Sequence, residues 1–329
     1  MVIFWVSLLA ISILLYVLLD GVDLGVGLLF GLASGETRRG AMLSAVAPIW
    51  DGNETWLVVT AVILWGAFPI VYANLLSAFY LPLIVMLLGL ILRGVAFEFR
   101  YKTQRLRWIW DLSFAGGSLI ATFIQGMTVG ALVRGGLPFT NGQYSGGETG
   151  WLTPFAVLCG IGLCLGYALL GACWLAKKCE AEVRDVAHRQ IPVLALGVLA
   201  FLVVVFAYAL AEHLPILQRW IDRPYLFVFP AIGAVAATVL GLSILRHNDH
   251  WPFYMVALIF VSAFGTLALS FWPYMIPFVI TVNEAAAPQS SLWFMFWGCG
   301  LIVFPLMLLY TVVSYSVFRG KVGTTAGYH

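Results

Sequence analysis

Apolar runs separated by short polar connections repeat along the whole chain. They fall at 3–33, 48–73, 76–101, 109–134, 151–177, 191–212, 225–246, 251–276 and 292–318. Each reaches the ~20 residues that carry a helix across a bilayer, and the longer ones are expected to tilt or project beyond the hydrocarbon. The pattern predicts an all-α polytopic membrane protein with nine transmembrane helices. Up-down pairing of neighbours groups them as two four-helix bundles, 1–134 and 135–276, followed by a peripheral ninth helix and tail, 277–329. The connections leave no room for a separate soluble domain. The opening M-V-I-F-W has no basic segment before its apolar run, so it reads as the first span and not as a removed signal peptide.

Composition agrees. The chain is 62% hydrophobic and 10% charged, far below the ~25% charge of soluble domains. Thirteen Trp and thirteen Tyr fit the aromatic belts of a bilayer protein. A net charge of +2, spread over short clusters, gives no nucleic-acid footprint. The distribution of Lys and Arg is more informative. Thirteen of the seventeen fall in alternate connections or the tail, three on the opposite side, and Arg93 lies inside the third span. By the positive-inside rule the N-terminus is expected outside and the C-terminus in the cytoplasm.

That orientation collects the unusual polar residues at one end of the first bundle. Asp20 and Asp23, in L-L-D-G-V-D-L-G-V-G at 18–27, lie in the inner part of span 1. Asp51 and Glu54, in A-P-I-W-D-G-N-E-T-W at 47–56, open span 2. Arg93, Glu98 and Arg100 close span 3, and Asp111 opens span 4. Each acid pair is spaced three apart and so shares a helix face. An ionisable group at membrane depth costs at least ~2.5 kcal/mol and normally faces protein or a water-filled path. Gly21 and Gly25 are small enough to let another helix press against Asp20 and Asp23, for which Arg93 is the best basic partner.

Plainer readings stand beside these. Asp51 follows Pro48 at a helix start, where an acid is favoured by the helix dipole. Trp50, Asn53 and Glu54 crowd it more densely than a cap requires, which points to proton or ion handling. Glu98 and Arg100 also read as a solvated helix end. Asn283 and Glu284 read as surface, and the basic clusters as topogenic. Five Cys show no metal-ligand spacing. The five His (188, 213, 247, 250, 329) sit at span ends, in connections or in the tail, so no haem iron is expected on this chain. No nucleotide fingerprint is present.

At these residues the chain resembles subunit II of the bacterial cytochrome bd-type quinol oxidases. The two stretches above carry the likeness, with F-P-I-V-Y-A at 68–73, taken as the end of the second helix, and L-R-G-V-A-F-E-F-R at 92–100, the third. The short chain is similar to the compact, cyanide-insensitive branch. The resemblance implies an inner-membrane complex that oxidises quinol and reduces dioxygen to water with protons drawn from the cytoplasm. It places the haems (b and d, or b alone) in subunit I and makes this chain its haem-free partner. It implies a cytoplasmic proton path in which Asp51 and Asp23 match the family's acids, and Glu98 aligns with an acid after the third helix. Ile49 stands where some relatives have His. A small single-helix subunit, membrane lipids and a quinone bound by this chain are further partners the resemblance allows, without assigned residues.

Two other functions fit some of the same residues. A proton-coupled secondary transporter would place binding groups at the interface of its two halves, yet the second half here has almost no internal charge. A structural scaffold would use the acids only to lock helices together.

Overall fold

A computed structural model of the chain describes residues 1–103, 105–135, 137–140, 143–212 and 215–322, the side chains of 215–218 excepted. It is helical nearly throughout. In chain order the helices are α1 (Val2–Phe30), α2 (Glu36–Ser44), α3 (Trp50–Ala67), α4 (Pro69–Lys102), α5 (Arg107–Arg134), α6 (Pro154–Lys178) and α7 (Ala181–Ala211). They continue with α8 (Pro215–Asp222), α9 (Val228–Leu245), α10 (Trp251–Phe271), α11 (Val282–Ala285), α12 (Gln289–Met295) and α13 (Phe304–Val317). Two small antiparallel hairpins, Phe139–Thr140 with Gln143–Tyr144 and Tyr274–Ile276 with Ile280–Thr281, close connections at one end.

Among the described residues, eight helical segments are long and apolar enough to cross a membrane: α1, α4, α5, α6, α7, Pro224–Leu245, α10 and Gln289–Val317. The remaining expected span, α3, is an 18-residue helix whose first turns carry Asp51, Asn53 and Glu54, and it is not among the eight. One boundary differs from the hydropathy reading. Instead of a break near 73–76, the chain turns at Phe68 (φ −135°, ψ 58°), and F-P-I-V-Y-A begins α4 rather than ending α3. Pro69 explains this: it has no N–H to donate to α3 but suits the first position of a new helix. α4 then kinks at Phe79 (φ −115°, ψ 23°), because Pro82 cannot bond the Ala78 carbonyl and its ring pushes that carbonyl aside. In the last span Pro305 likewise cannot donate to Leu301, and the preceding Phe296–Val303 widens into a π-helix. At the other extreme, α7 starts ten residues before its apolar run, so Arg184, His188 and Arg189 are helical.

The packing centres on α1 and α6. α1 packs against α3, α5 and α6, and α6 against α1, α5, α7 and α10. The 1–134 and 135–276 segments therefore meet across a continuous interface. Membrane helices gain little from hydrophobic exclusion and approach through small residues. A Cβ on Gly25 would lie 1.9 Å from the Tyr167 carbonyl oxygen, and one on Gly171 2.5 Å from the Gly25 carbonyl carbon. Gly89 and Gly117 make the same kind of contact between α4 and α5. Gly21 faces the Tyr167 ring, 2.7 Å from where its Cβ would be. These approaches bring α1 close enough for short side chains to meet across it.

Gly25→Leu should separate α1 from α6 at a cost of at least about 1–3 kcal/mol, read as a lower thermal midpoint and a poor yield of detergent-solubilised chain. Gly241→Ala, whose Cβ meets nothing within 4 Å, should leave both unchanged.

Candidate functional site

One face of α1 carries Ser12, Tyr16, Asp20 and Asp23, all buried. Their spacing of four, four and three residues keeps them in one line. Asp20 and Asp23 are both fully buried. Arg93, on α4 and equally buried, donates from Nη1 to Asp20 Oδ1 at 2.7 Å and from Nη2 to Glu54 Oε2 at 2.8 Å. One guanidinium thus joins α1, α3 and α4. Its planar fork suits two carboxylates at once. Asn53, one residue before Glu54, donates from Nδ2 to Asp23 Oδ2 at 2.8 Å and to the Leu19 carbonyl at 3.3 Å. Tyr315 on α13 donates to Asn53 Oδ1 at 3.2 Å.

The network continues away from the acids. Gln125 on α5 donates to the Tyr16 hydroxyl at 2.7 Å and accepts from Tyr167 on α6 at 3.3 Å. Thr60 donates to Ser12 at 3.1 Å. Three buried atoms of the acid cluster, Asp20 Oδ2, Asp23 Oδ1 and Arg93 Nε, have no hydrogen-bond partner among the described residues, and neither has Thr122 Oγ1 on α5. Buried polar atoms left this way are where internal water is held. Three carboxyl groups face one guanidinium here. An arriving proton would therefore relieve an excess of negative charge, which makes the cluster chemically suited to accept and release protons.

A second polar cluster lies at the end of the molecule that carries the basic connections. Arg100 donates to both oxygens of Glu36, at 3.0 and 2.9 Å, and to Asp111 at 2.5 Å. Arg39 reaches Asp111 at 2.7 Å, and Arg107 reaches Glu36 at 3.1 Å. Arg39 and Arg100 also sit over the Phe30 ring, at 5.3 and 5.5 Å from its centroid. This cluster ties α2 to the ends of α1, α4 and α5. Arg39 and Arg107 were expected to serve topology, and Arg100 to support the polar end of the first bundle or close a solvated helix; here all three fasten helix ends.

The structure thus brings together Asp20, Asp23, Glu54, Asn53 and Arg93. It sets Arg100 in the second cluster and Gly21 and Gly25 against α6. Asp51 is exposed, and among the described residues no side-chain hydrogen bond links its carboxylate to the buried network. Glu98 is also exposed, 3.6 Å from Lys102. Trp50 stacks on Phe97, with centroids 4.9 Å apart. Tyr16, Gln125, Tyr167 and Tyr315 were not singled out from sequence. Tyr16 could have been found as the residue one turn before Asp20, and Gln125 as a lone amide in an apolar run. Tyr315 gives no local signal, since its contact spans 262 residues.

His213 and His329 lie outside the described residues. Of the others, His188 is committed to Asp249 at 2.8 Å, and His247 and His250 lie in the connection between α9 and α10. No group of three or more His, Cys, Asp or Glu among the described residues is placed to hold a metal ion. His188 is near the start of α7 and His247 and His250 are in a connection, so none of these three described histidines sits at mid-span.

Removing Arg93 leaves Asp20 buried without its cation. Arg93→Ala should cost about 3–5 kcal/mol, measured as a fall in the unfolding midpoint of the purified protein. Glu98→Gln, at an exposed site, should leave the midpoint in place.

Comparison with known proteins gives a consistent result. The family described as cytochrome bd terminal oxidase subunit II matches residues 1–318. The cytochrome bd-I ubiquinol oxidase subunit 2 of Escherichia coli K12 is 27% identical, covering 97% of this chain and 94% of its own. The cytochrome bd ubiquinol oxidase subunit 2 of Bacillus subtilis is 28% identical over 97% and 96%. A chain of the bd oxidase from Geobacillus thermodenitrificans superposes with a TM-score of 0.78 over 97% of both chains, at 16% identity, and so shares the fold.

Proposed function

The chain belongs to the cytochrome bd terminal oxidase subunit II family, and from that premise we propose that it is the haem-free partner of a haem-bearing subunit I. Together they oxidise quinol and reduce dioxygen to water in a bacterial inner membrane. The chain steadies the haem subunit and supplies protons from the cytoplasm. In this reading the chain crosses nine times, with α3 as the second span, and its basic connections and C-terminus face the cytoplasm, the N-terminus the outside.

The observation that carries the proton role is the buried cluster of Asp20, Asp23, Glu54 and Arg93 with its unpartnered carboxylate oxygens. Arg93 holds Asp20 and Glu54 by charge, so these two anchor the cluster. Asp23 is held by the neutral Asn53 amide through one oxygen alone, which leaves the other to exchange a proton with water. Asp51, exposed at the start of α3, is open to a neighbouring chain and serves the same supply at the subunit boundary. Haem chemistry belongs to subunit I, and no step here passes through a metal on this chain. Lipids, a quinone and a small single-helix subunit complete the assembly proposed.

A second reading has its own support. The Arg93 pairs join three helices, as a purely structural lock would. The two are separated by turnover per assembled haem. Asp23→Asn should lower quinol-driven oxygen consumption by on the order of tenfold to hundredfold while haem content persists, and Asp51→Asn should lower it less. If both variants assemble poorly but turn over normally per haem, the acids serve only as a lock.

A further inference from the structure

At the basic end, a cavity of about 260 Å³ is enclosed by the end of α2, its connection to α3, the ends of α6 and α13, and residues 318–322. A water takes roughly 30 Å³ in the liquid, so the space suits a small polar group such as a phosphate ester with its glycerol. Two of the lining residues are charged, Lys178 and Lys321, and no acid among the described residues lines it.

Lys178 is the unusual member. It closes α6 and is only 7% exposed, where an ammonium is costly without an opposite charge. It donates to the Phe318 carbonyl and, at 3.1 Å, to that of Gly320, while Val322 N–H returns to the Lys178 carbonyl at 2.8 Å. These bonds fasten the segment after α13 against α6. Carbonyl oxygens solvate the ammonium but do not neutralise it, and no carboxylate among the described residues pairs with it. Lys321 lies 3.4 Å from Asp249, but that carboxylate is also met by Arg184 at 2.9 Å and His188 at 2.8 Å. The cavity therefore holds positive charge that the chain itself leaves unbalanced.

The remaining walls are apolar. Ile49 and Trp174 form the buried side, and Val317 and Phe318 are exposed. From Val317, the exposed Val313 and Leu309 follow in steps of four residues along one face of α13. An apolar strip on a membrane-spanning helix thus runs up to a cationic pocket. Trp174 and Tyr315 line that pocket at the ends of two spans, where such rings gather at the membrane surface.

We propose that this cavity binds the headgroup of an anionic glycerophospholipid, with its phosphate against Lys178 and Lys321 and an acyl chain along Val317, Val313 and Leu309. A soluble phosphate would meet the lysines but gain nothing from the strip. A zwitterionic headgroup would bring its own cation into a pocket that has no acid to receive it. The bound lipid closes the seam between α2, α6 and α13. The site is separate from the buried acids of α1 and α3, so it stands whether or not those acids carry protons.

The test uses the intact purified oxidase, stripped of lipid in a neutral detergent and offered phosphatidylglycerol or phosphatidylcholine, with bound lipid counted by mass spectrometry of the intact complex. The wild type should keep one phosphatidylglycerol that excess phosphatidylcholine does not displace. Lys321→Gln, at an exposed position, should weaken that binding roughly fivefold, the share of one basic group beside an anionic lipid. Lys178→Gln should remove it. Gly320→Trp, where a Cβ meets no atom within 4 Å, should fill the cavity and block binding with both lysines in place. Arg189→Gln, exposed and outside the cavity, should bind as the wild type does. If Lys178→Gln does not assemble, Lys321→Gln and Gly320→Trp decide the matter. Retention in those two equal to the wild type would overturn the site, as would equal binding of phosphatidylcholine. A like loss in Arg189→Gln would mark general surface charge and overturn it too. Displacement of phosphatidylglycerol by an equal concentration of glycerol phosphate would make a soluble phosphate the ligand and overturn the lipid.

Discussion

A guanidinium without access to water is stable only where carboxylates meet it, and Arg93 is completely enclosed. Isolated in a membrane it would cost several kcal/mol. Asp20 from one side and Glu54 from the other meet that need, and in doing so fix α1, α3 and α4 in register. α3 is the helix that most needs such an anchor. Its first turns, with Asp51, Asn53 and Glu54, are too polar for lipid to hold, and it packs mainly on α1. The ion pairs supply a location that lipid partitioning does not.

The rest of the arrangement makes this contact attainable. Carboxylate arms are short, so α1 must lie deep among its neighbours. Gly25 and Gly171 give it backbone contact with α6, and Gly27 faces Ser118 on α5, whose Oγ would lie 2.0 Å from an added Cβ. With both neighbours this near, the polar face of α1 reaches Gln125 and Tyr167 without a charge on either. The glycines therefore act on the site indirectly, by bringing the groups within hydrogen-bond range.

Much of this could be read before any coordinates. The cost of charge at membrane depth singled out Asp20, Asp23, Glu54 and Arg93, and small-residue spacing marked the face of α1 that packs. What escaped was of two kinds. The α3–α4 turn and the kink at Phe79 depend on proline stereochemistry, which a hydropathy average does not register. Tyr315, Gln125 and the pairing of Arg39 with Asp111 depend on contacts between segments distant in sequence. Asp51 shares its motif with the buried Asn53, and Glu98 shares its own with the buried Arg93, yet the structure turns both acids outward. Helical period accounts for this: Asp51 is two residues from Asn53, about 200° around the helix, so one residue faces Asp23 and the other cannot.

That same period bears on how the acids divide their work. Residues on one face of α3 are enclosed by this chain, and those on the opposite face are available to another. Asn53 faces the chain's own interior and Asp51 faces away. Glu54 lies between, its side chain 28% exposed while its oxygen meets the fully enclosed Arg93. α3 therefore presents polar groups in two directions from a single turn. Burying one direction leaves Asp23 with a free oxygen inside the fold, and exposing the other leaves a carboxylate at the surface. A helix with acids on a single face would either close off the interior or leave the surface apolar; W-D-G-N-E does neither, because Asp51, Asn53 and Glu54 fall within one turn and so point to different sides of the helix.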